Sequence, residues 1–220
     1  MERIPEPELM DDPAQARAYA EADFEAPHSR FIELFAQAFP GARPQRVLDL
    51  GCGPGDITTR FARAHGDCLI DGIDGAPAML EHARRARAAA GLENRIRLTR
   101  ARLPHGAPPD TGYDTLISNS LLHHLAEPMH LWEALRLHAA PGARIFVMDL
   151  MRPQDRAEAG ALVEAYAAGE PDVLRRDLYN SLLAAFRPEE VEAQLARAGM
   201  ALEVAVVSDR HLLVRGQLAA

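Results

Sequence analysis

Three glycines at alternate positions, directly after a short apolar run that contains an acid, are the residues best suited to bind a ligand. The run is Arg46–Leu50, with Asp49 inside it, and Gly51, Gly53 and Gly55 follow. Glycines so closely spaced let the backbone turn sharply and let a ligand approach without meeting a Cβ atom. Residues 57–64 are compatible with a helix, so the stretch predicts strand, glycine loop and helix, the first turn of a nucleotide-binding α/β fold.

The charge beside this loop indicates what kind of ligand it holds. The third glycine comes one position early for the dinucleotide pattern G-x-G-x-x-G, where Asp56 stands instead. A pyrophosphate is negatively charged and would be repelled by Asp49 at the end of the strand, whereas a cationic ligand would be attracted. The loop therefore favours a cationic ligand over a dinucleotide.

Further polar side chains follow the next predicted strands. Asp74 ends the second strand, residues 68–74, about 20 residues past the loop, where this class of fold places a carboxylate on ribose hydroxyls. The fourth strand, residues 113–118, leads into Asn119, and His123 and His124 come shortly after it. The carboxyl ends of parallel strands meet at one edge of a sheet, so we expect these side chains to lie close together.

Strands and helices alternate along the chain before a closing hairpin. Strands are predicted at residues 46–50, 68–74, 95–99, 113–118, 143–150, 202–207 and 211–215, with helices between them. Alternation of this kind predicts a parallel sheet covered on both faces, and the hairpin adds an antiparallel edge. The expected fold class is α/β: a doubly wound, mostly parallel seven-stranded sheet with an antiparallel C-terminal hairpin.

We expect a single domain over residues 1–220, divided into four parts. Residues 1–41 form an N-terminal helical cap that contains Tyr19, and residues 42–150 form the ligand-binding core. Residues 151–187 form a helical insert, with apolar stripes at Ala157, Ala161 and Ala165 and from Leu174 to Phe186. Residues 188–220 supply the last helix and the hairpin. The insert exceeds what a minimal sheet needs, so we expect it to act as a lid.

Composition and charge exclude several classes of protein. The net charge is −8, which argues against sequence-independent nucleic-acid binding, because that requires many lysine and arginine contacts. Cys52 and Cys68 fit no metal spacing and suggest no disulfide framework. The first residues lack an apolar signal segment, and no apolar run approaches a membrane span. We therefore expect a cytoplasmic protein with no membrane partner and no metal; the oligomeric state stays open.

Three stretches together resemble the class I S-adenosylmethionine (SAM) methyltransferases, and the likeness covers roughly residues 46–215. Residues 49–55, D-L-G-C-G-P-G, resemble the first motif of that family, and residues 72–80 resemble its second. Residues 113–125 resemble the fourth motif of the branch that acts on small molecules. The resemblance implies the fold described above, SAM as the cofactor and S-adenosylhomocysteine (SAH) as its product.

The resemblance also implies which residues contact SAM. Gly51 and Gly53 would line its methionine part, with Asp49 near the amino group and Asn119 facing the same part. Asp74 would hold the ribose. The other expected contacts are Gly55 in the first motif, Gly75 and Met79 beside the adenine, and Tyr19 in the cap. Family members commonly carry an acid after the third strand for the adenine amino group, and none occurs here; either backbone groups near Ala101, Arg102 and Leu103 bind the adenine, or its recognition is looser.

Three functions compete for the acceptor side. Enzymes that methylate base amino groups usually carry an N/D-P-P-Y/F loop after the fourth strand, and residues 119–122 contain neither proline nor an aromatic residue. Methylation at cytosine C5 needs a cysteine nucleophile there, and none is present. A small-molecule methyltransferase is thus favoured over a nucleic-acid or protein methyltransferase, and over a SAM- or dinucleotide-binding protein without transfer. His123, His124 and Tyr179 are the candidate bases.

Overall fold

The computed structural model describes residues 1–7, 9–103, 106 and 108–219. Its strands are β1 (Arg46–Leu50), β2 (Leu69–Asp74), β3 (Ile96–Arg100), β4 (Tyr113–Asn119), β5 (Ala139–Leu150), β6 (Glu203–Val206) and β7 (His211–Gln217). Its helices are α1 (Pro13–Glu21), α2 (Glu25–Ala38), α3 (Asp56–Ala64), α4 (Pro77–Ala89), α5 (Met129–His138), α6 (Arg156–Ala167), α7 (Asp172–Ala184) and α8 (Pro188–Ala198), and a short 3₁₀ helix spans Leu122–His124.

The strands form one seven-stranded sheet in the order β3-β2-β1-β4-β5-β7-β6. The strands β1 to β5 are parallel, β7 pairs antiparallel with β5, and β6 pairs antiparallel with β7. The predicted fold class is therefore confirmed. Strands β2 and β3 are added on one side of β1, and β4 and β5 on the other. The strand order therefore switches between β1 and β4, and the carboxyl ends of these two strands border a crevice of the kind in which α/β proteins bind ligands.

Helices cover both faces of the sheet with separate apolar layers. On one face, the stripe of α2 packs Phe31 and Phe35 edge-on against Phe146 of β5, with ring centroids 4.9 and 5.4 Å apart. On the other face, Trp132 of α5 is fully buried, and its indole Nε1 donates a hydrogen bond of 2.9 Å to Gln194 of α8. These layers fix the strands, and so fix where the side chains at the strand ends point.

Two predicted boundaries are wrong for identifiable reasons. The fifth strand begins at Ala139, not at residue 143: Tyr113 pairs with Ala139, but Thr115 pairs with Arg144, so the residues between are absorbed in a bulge. The sequence also predicts a second helix that begins at Pro27, but this helix begins two residues earlier, at Glu25. The Asp23 carboxylate accepts a 2.9 Å hydrogen bond from the Glu25 amide, which places that proline inside the first turn.

The helical insert packs at the carboxyl end of β5. Leu150 joins one apolar cluster with residues of α6 and α7, among them Leu162 and Leu182. The alanine stripe expected for α6 is wrong: Ala157, Ala161 and Ala165 are exposed, and the buried residues are Ala159, Leu162, Val163 and Ala167. Branched side chains bury more apolar area than alanines, so the helix turns Leu162 and Val163 inward. No helix in the described part of the chain is long and apolar enough to cross a membrane.

The first seven residues form neither a helix nor a strand and contact α7 and the 3₁₀ helix. The Ile4 amide donates a 3.0 Å hydrogen bond to the Leu183 carbonyl. The Arg3 guanidinium donates to the carbonyls of His123 and Leu125, each at 2.9 Å, and stacks 4.0 Å from the Phe186 ring centroid. This N-terminal segment therefore bridges α7 and the 3₁₀ helix.

Candidate functional site

Two adjoining cavities open at the carboxyl ends of the parallel strands. The smaller one, ≈ 110 Å³, lies over the glycine loop and the ends of β1, β2 and β4. The larger one, ≈ 350 Å³, lies between the N-terminal helices, α6, α7 and the 3₁₀ helix. Both are lined by Met10, Tyr19, His28, Asn119, Ser120 and His124. The arrangement can hold two ligands side by side.

The glycine loop has the backbone that its composition predicts. Gly51, Gly53 and Gly55 adopt φ values of 72°, 52° and 85°, a region that side chains rarely adopt. A Cβ on Gly53 would meet no atom within 4 Å, so this residue borders open space in the smaller cavity. A Cβ on Gly55 would lie 3.1 Å from Ala83 of α4. Gly55 therefore permits close packing of helices and does not line the cavity.

Asp49 is a buried carboxylate beside the loop. It is 1% exposed, and its Oδ2 accepts a 2.6 Å hydrogen bond from the Thr58 hydroxyl. Burial raises the pKa of Asp49 to about 7; the Thr58 hydrogen bond opposes this shift and the charge of Asp74 adds to it. No cation of the described residues contributes to the shift. A carboxylate in this environment is ready to receive a cationic ligand group.

Asp74, at the end of the neighbouring strand β2, holds the glycine loop by hydrogen bonding. Its Oδ2 accepts a 2.9 Å hydrogen bond from the Gly53 amide, and its Oδ1 accepts a 2.8 Å bond from the Ala76 amide. Burial raises its pKa, and the two backbone hydrogen bonds oppose that rise. Each carboxylate oxygen keeps a second lone pair, which leaves Asp74 able to accept hydroxyl protons from a ligand. The ribose contact expected of it remains a prediction.

Asn119 offers an unused acceptor at the boundary of the two cavities. Its side-chain Oδ1 is buried and has no hydrogen-bond partner among the described residues, while its Nδ2 donates to the Ser120 hydroxyl at 3.3 Å. A buried polar atom without a partner is rare and needs an explanation. Ser120 has a φ of 56°, a strained conformation for a residue with a side chain. A ligand that donates to Asn119 Oδ1 would supply the missing hydrogen-bond partner.

His123 is held by an acid that the sequence interpretation did not select. The His123 Nδ1 lies 2.5 Å from Asp149 Oδ1, and Asp149 also accepts 2.7 Å hydrogen bonds from the amides of Leu122 and Leu150. Burial lowers the pKa of His123, but the charge of Asp149 and its hydrogen bond outweigh burial, so the pKa is raised. Burial and the neighbouring His123 lower the pKa of His124 to about 3. The pKa values of the two adjacent rings are therefore shifted in opposite directions.

Most of the predicted SAM-contacting residues border the smaller cavity. They are Tyr19, Asp49, Gly51, Gly53, Asp74, Gly75, Met79, Ala101, Arg102, Leu103 and Asn119; the exception is Gly55. His123 and His124 border the larger cavity. Tyr179 lines neither cavity and packs against the cluster between α6 and α7. The structure thus places two of the three candidate bases beside the second ligand space.

Several lining residues escaped the sequence analysis. Leu9 and Met10, which precede α1 in a stretch without a periodic apolar pattern, border the smaller cavity. His28 pairs with Asp56 at 2.6 Å, linking α2 to the start of α3, and borders both cavities. Asp149 was within reach of the sequence, because it lies at the carboxyl end of the predicted fifth strand, next to the fourth.

The larger cavity is apolar with an acidic rim. Phe24, Met148, Leu150, Leu174 and Leu178 supply its apolar surface, and Asp23, Glu170 and Asp177 its carboxylates. Arg210 also borders it, but this guanidinium stacks 3.3 Å from the Tyr166 ring centroid and pairs with Asp209 at 3.2 Å. Such a lining suits a neutral or cationic molecule better than an anionic one.

The sequence matches one described protein family and several curated proteins. Residues 47–142 match the family described as "Methyltransferase domain". The chain is 26% identical over 185 residues to the 27-O-demethylrifamycin SV methyltransferase of Amycolatopsis mediterranei (strain S699), covering 84% of this chain and 64% of that protein. It is 31% identical over 169 residues to the trans-aconitate 2-methyltransferase of Methylobacterium nodulans, covering 75% of this chain and 61% of that protein. The chain thus spans less than two thirds of the length of either relative.

Solved structures share the fold. A SAM-dependent methyltransferase from Aquifex aeolicus superposes with a TM-score of 0.72 at 18% identity, covering 94% of this chain and 99% of that one. The plantazolicin methyltransferase BpumL, solved with a triazolic desmethylplantazolicin analogue and SAH, gives a TM-score of 0.73 at 15% identity, covering 95% and 92%. At these low sequence identities, the likeness shows a shared fold alone.

Proposed function

We propose, from the match of residues 47–142 to a methyltransferase domain, that the chain is a class I SAM-dependent methyltransferase and transfers a methyl group from SAM to a small molecule. The observation that carries the proposal is the buried Asp49 carboxylate, which faces the glycine loop without a cationic partner among the described residues. A sulfonium ligand with an ammonium group supplies that partner. A dinucleotide would instead place two phosphates there.

The residues of the smaller cavity fit SAM group by group. Asp49 and the unpartnered Asn119 Oδ1 suit its ammonium, because both are acceptors that lack a cationic donor. Asp74 suits the ribose hydroxyls. Gly75, Met79 and the stretch 101–103 border the space left for the adenine. When bound, SAM supplies a methyl group on a sulfonium, which departs as a neutral thioether.

The chain contributes orientation and exclusion of water. An acceptor in the larger cavity lies next to the smaller one, since Asn119, Ser120 and His124 border both. Holding the two reactants in register can supply much of the rate of such a displacement. An acceptor that must lose a proton can release it towards the histidines of the 3₁₀ helix. We propose that α6, α7 and residues 1–41 form the lid over this cavity.

We propose that the acceptor is neutral or cationic and largely apolar. The trans-aconitate methyltransferases resemble this chain in sequence, but a tricarboxylate needs several cations, whereas the described rim of the larger cavity carries Asp23, Glu170 and Asp177 beside the already paired Arg210. Cys52 and Cys68 are buried and free, and we place the reaction in a reducing, cytoplasmic compartment.

Methyl-labelled SAM tests this function directly. The full chain is incubated with labelled SAM and cell extract, the extract is filtered to separate small molecules from macromolecules, and the filtrate is separated on anion and cation exchangers. We expect the label in neutral or cationic small molecules and no methylation of added trans-aconitate. The variant Asp74→Ala serves as the control, in which labelling falls. Label confined to protein, nucleic acid or the anionic fraction contradicts the proposal.

A further inference from the structure

Three ligand-type atoms converge where the N-terminal segment crosses the 3₁₀ helix. Glu6 Oε1, one ring nitrogen of His123 and one of His124 all lie within 4.8 Å of one another. Glu6 Oε1 is 3.1 Å from His124 Nδ1 and 3.6 Å from His123 Nε2. The cluster joins segments that are more than a hundred residues apart in sequence, and the fold alone does not require these side chains to meet.

Ordinary hydrogen bonding leaves one of these atoms unexplained. His124 Nδ1 is buried and forms no hydrogen bond within the described residues, although Glu6 Oε1 lies only 3.1 Å away. A ring-nitrogen lone pair that faces a carboxylate oxygen is repulsive unless a proton or a metal ion lies between them. No hydrogen bond joins the two atoms among the described residues, whereas a metal ion between them would accept a lone pair from each.

The spacing fits a tetrahedral metal ion. With zinc–ligand bonds of roughly 2.0–2.1 Å, the edge of a tetrahedron is about 3.3 Å. The separations of Glu6 Oε1 from the two ring nitrogens, 3.1 and 3.6 Å, lie on either side of that length. Small shifts of the Glu6 side chain therefore suffice to complete the coordination.

The surroundings orient the atoms as in metal centres. Asp149 binds His123 Nδ1 at 2.5 Å and so directs Nε2 towards Glu6. Metal-binding histidines almost always donate their other ring nitrogen to a carboxylate or carbonyl in this way. Ser181 donates a 2.9 Å hydrogen bond to Glu6 Oε1, which fixes that carboxylate. The site thus has three ligands and outer partners that hold two of them.

We propose that Glu6, His123 and His124 bind a divalent transition-metal ion, with Zn²⁺ as its representative, and that the open coordination position faces the larger cavity. Two imidazoles and one carboxylate suit zinc and its neighbours, whereas Mg²⁺ and Ca²⁺ prefer oxygen ligands alone. Both histidines and Ser181 border the larger cavity, so the open position meets an oxygen or nitrogen atom of the acceptor, or water. The site needs only these side chains and does not depend on methyl transfer; ring nitrogens that coordinate a metal ion cannot also take a proton from the acceptor, so the histidines can act as bases only in the metal-free chain.

Metal titration of the full, metal-free chain tests the site. Calorimetry with Zn²⁺ should give one site per chain, and Co²⁺ should give the visible absorption of a tetrahedral complex. Glu6→Gln keeps the size of its side chain and removes the charge, His124→Asn removes the imidazole ring, and we expect each to weaken binding at least about tenfold. His130→Asn, outside the cluster, is the matched control and should bind as the parent does.

A second readout separates this site from adventitious binding at surface histidines. Zn²⁺ should tie residues 1–7 to the 3₁₀ helix, so hydrogen exchange of the Ile4 amide should slow in the parent and stay unchanged in Glu6→Gln. Circular dichroism confirms that each variant is folded. The proposal is overturned by a parent that binds neither Zn²⁺ nor Co²⁺, by variants that bind as tightly as the parent, or by preference for Mg²⁺ over Zn²⁺.

Discussion

The variant Asp49→Asn should make the ligand-free protein more stable and at the same time a poorer SAM binder. Asp49 is 1% exposed, and burial raises its pKa from 3.8 to about 7. Folding therefore favours the protonated form, and the folded state loses stability as pH rises from about 4 to about 7. Asparagine resembles the protonated acid in shape and carries no charge at any pH, so the variant avoids that loss.

The size of the effect follows from the two pKa values. Each pH unit between them is worth about 1.4 kcal/mol, which gives an upper limit of about 4 kcal/mol above pH 7. Between pH 5 and pH 7, the free energy of unfolding of the variant should gain about 2–3 kcal/mol relative to the parent. SAM binding should weaken by about 1.5–3 kcal/mol at pH 8, because a hydrogen bond between charged groups is lost.

Urea unfolding at several pH values, followed by calorimetry with SAM, measures both quantities. Asp67→Asn, on an exposed acid, is the matched control and should change neither. SAM binding to the parent should also weaken below about pH 7, since Asp49 must then release a proton to receive the ammonium. A stability gap between Asp49→Asn and the parent that stays constant between pH 5 and pH 7 would refute the reasoning.

Other substitutions separate the roles of the loop, the second acid and the lid. Asp74→Ala should weaken SAM binding by about 1–3 kcal/mol in calorimetry while the chain stays folded; unchanged affinity would remove it from the ribose site. Gly55→Ala should lower the free energy of unfolding by about 1–3 kcal/mol, because its Cβ would lie 3.1 Å from the α4 backbone. Gly66→Ala, in open space, should not. Leu182→Ala, at a fully buried position in the α6–α7 cluster, should cost about 2–5 kcal/mol of stability. Leu178→Ala, which lines the larger cavity, should instead raise the KM for the acceptor and leave SAM affinity within a few-fold; equal kinetic effects of both leucines would argue against a lid.

The sheet and the smaller cavity were predictable from the sequence because local patterns determine them. The strand that ends at Asp49, the glycines after it and the acid at Asp74 each have a local signature, and a parallel sheet brings strand ends to one edge. The bulge in β5 was not predictable, because Pro141-Gly142 also fits a turn that separates a helix from a strand. The pairing of β4 with β5 shows that these residues form a bulge within the strand and not a turn before it.

The second cavity depends on contacts between distant segments. Nothing in the first seven residues indicates that Arg3 caps the carbonyls of the 3₁₀ helix or that Glu6 meets the adjacent histidines. The inward face of α6 was also misassigned, since alanines at helical spacing resemble a packed stripe as long as larger residues are not weighed against them. Tyr179 was selected for its chemistry, and only packing shows that it lines neither cavity.

Calorimetric titration of the full chain with SAM, SAH and NADH at pH 8 tests most directly whether the buried acid beside the glycine loop selects a cationic adenosyl ligand. We expect SAM and SAH to bind at one site per chain and NADH to give no measurable heat of binding. Binding of NADH without binding of SAM would contradict the assignment of the smaller cavity, and with it the proposed methyl transfer.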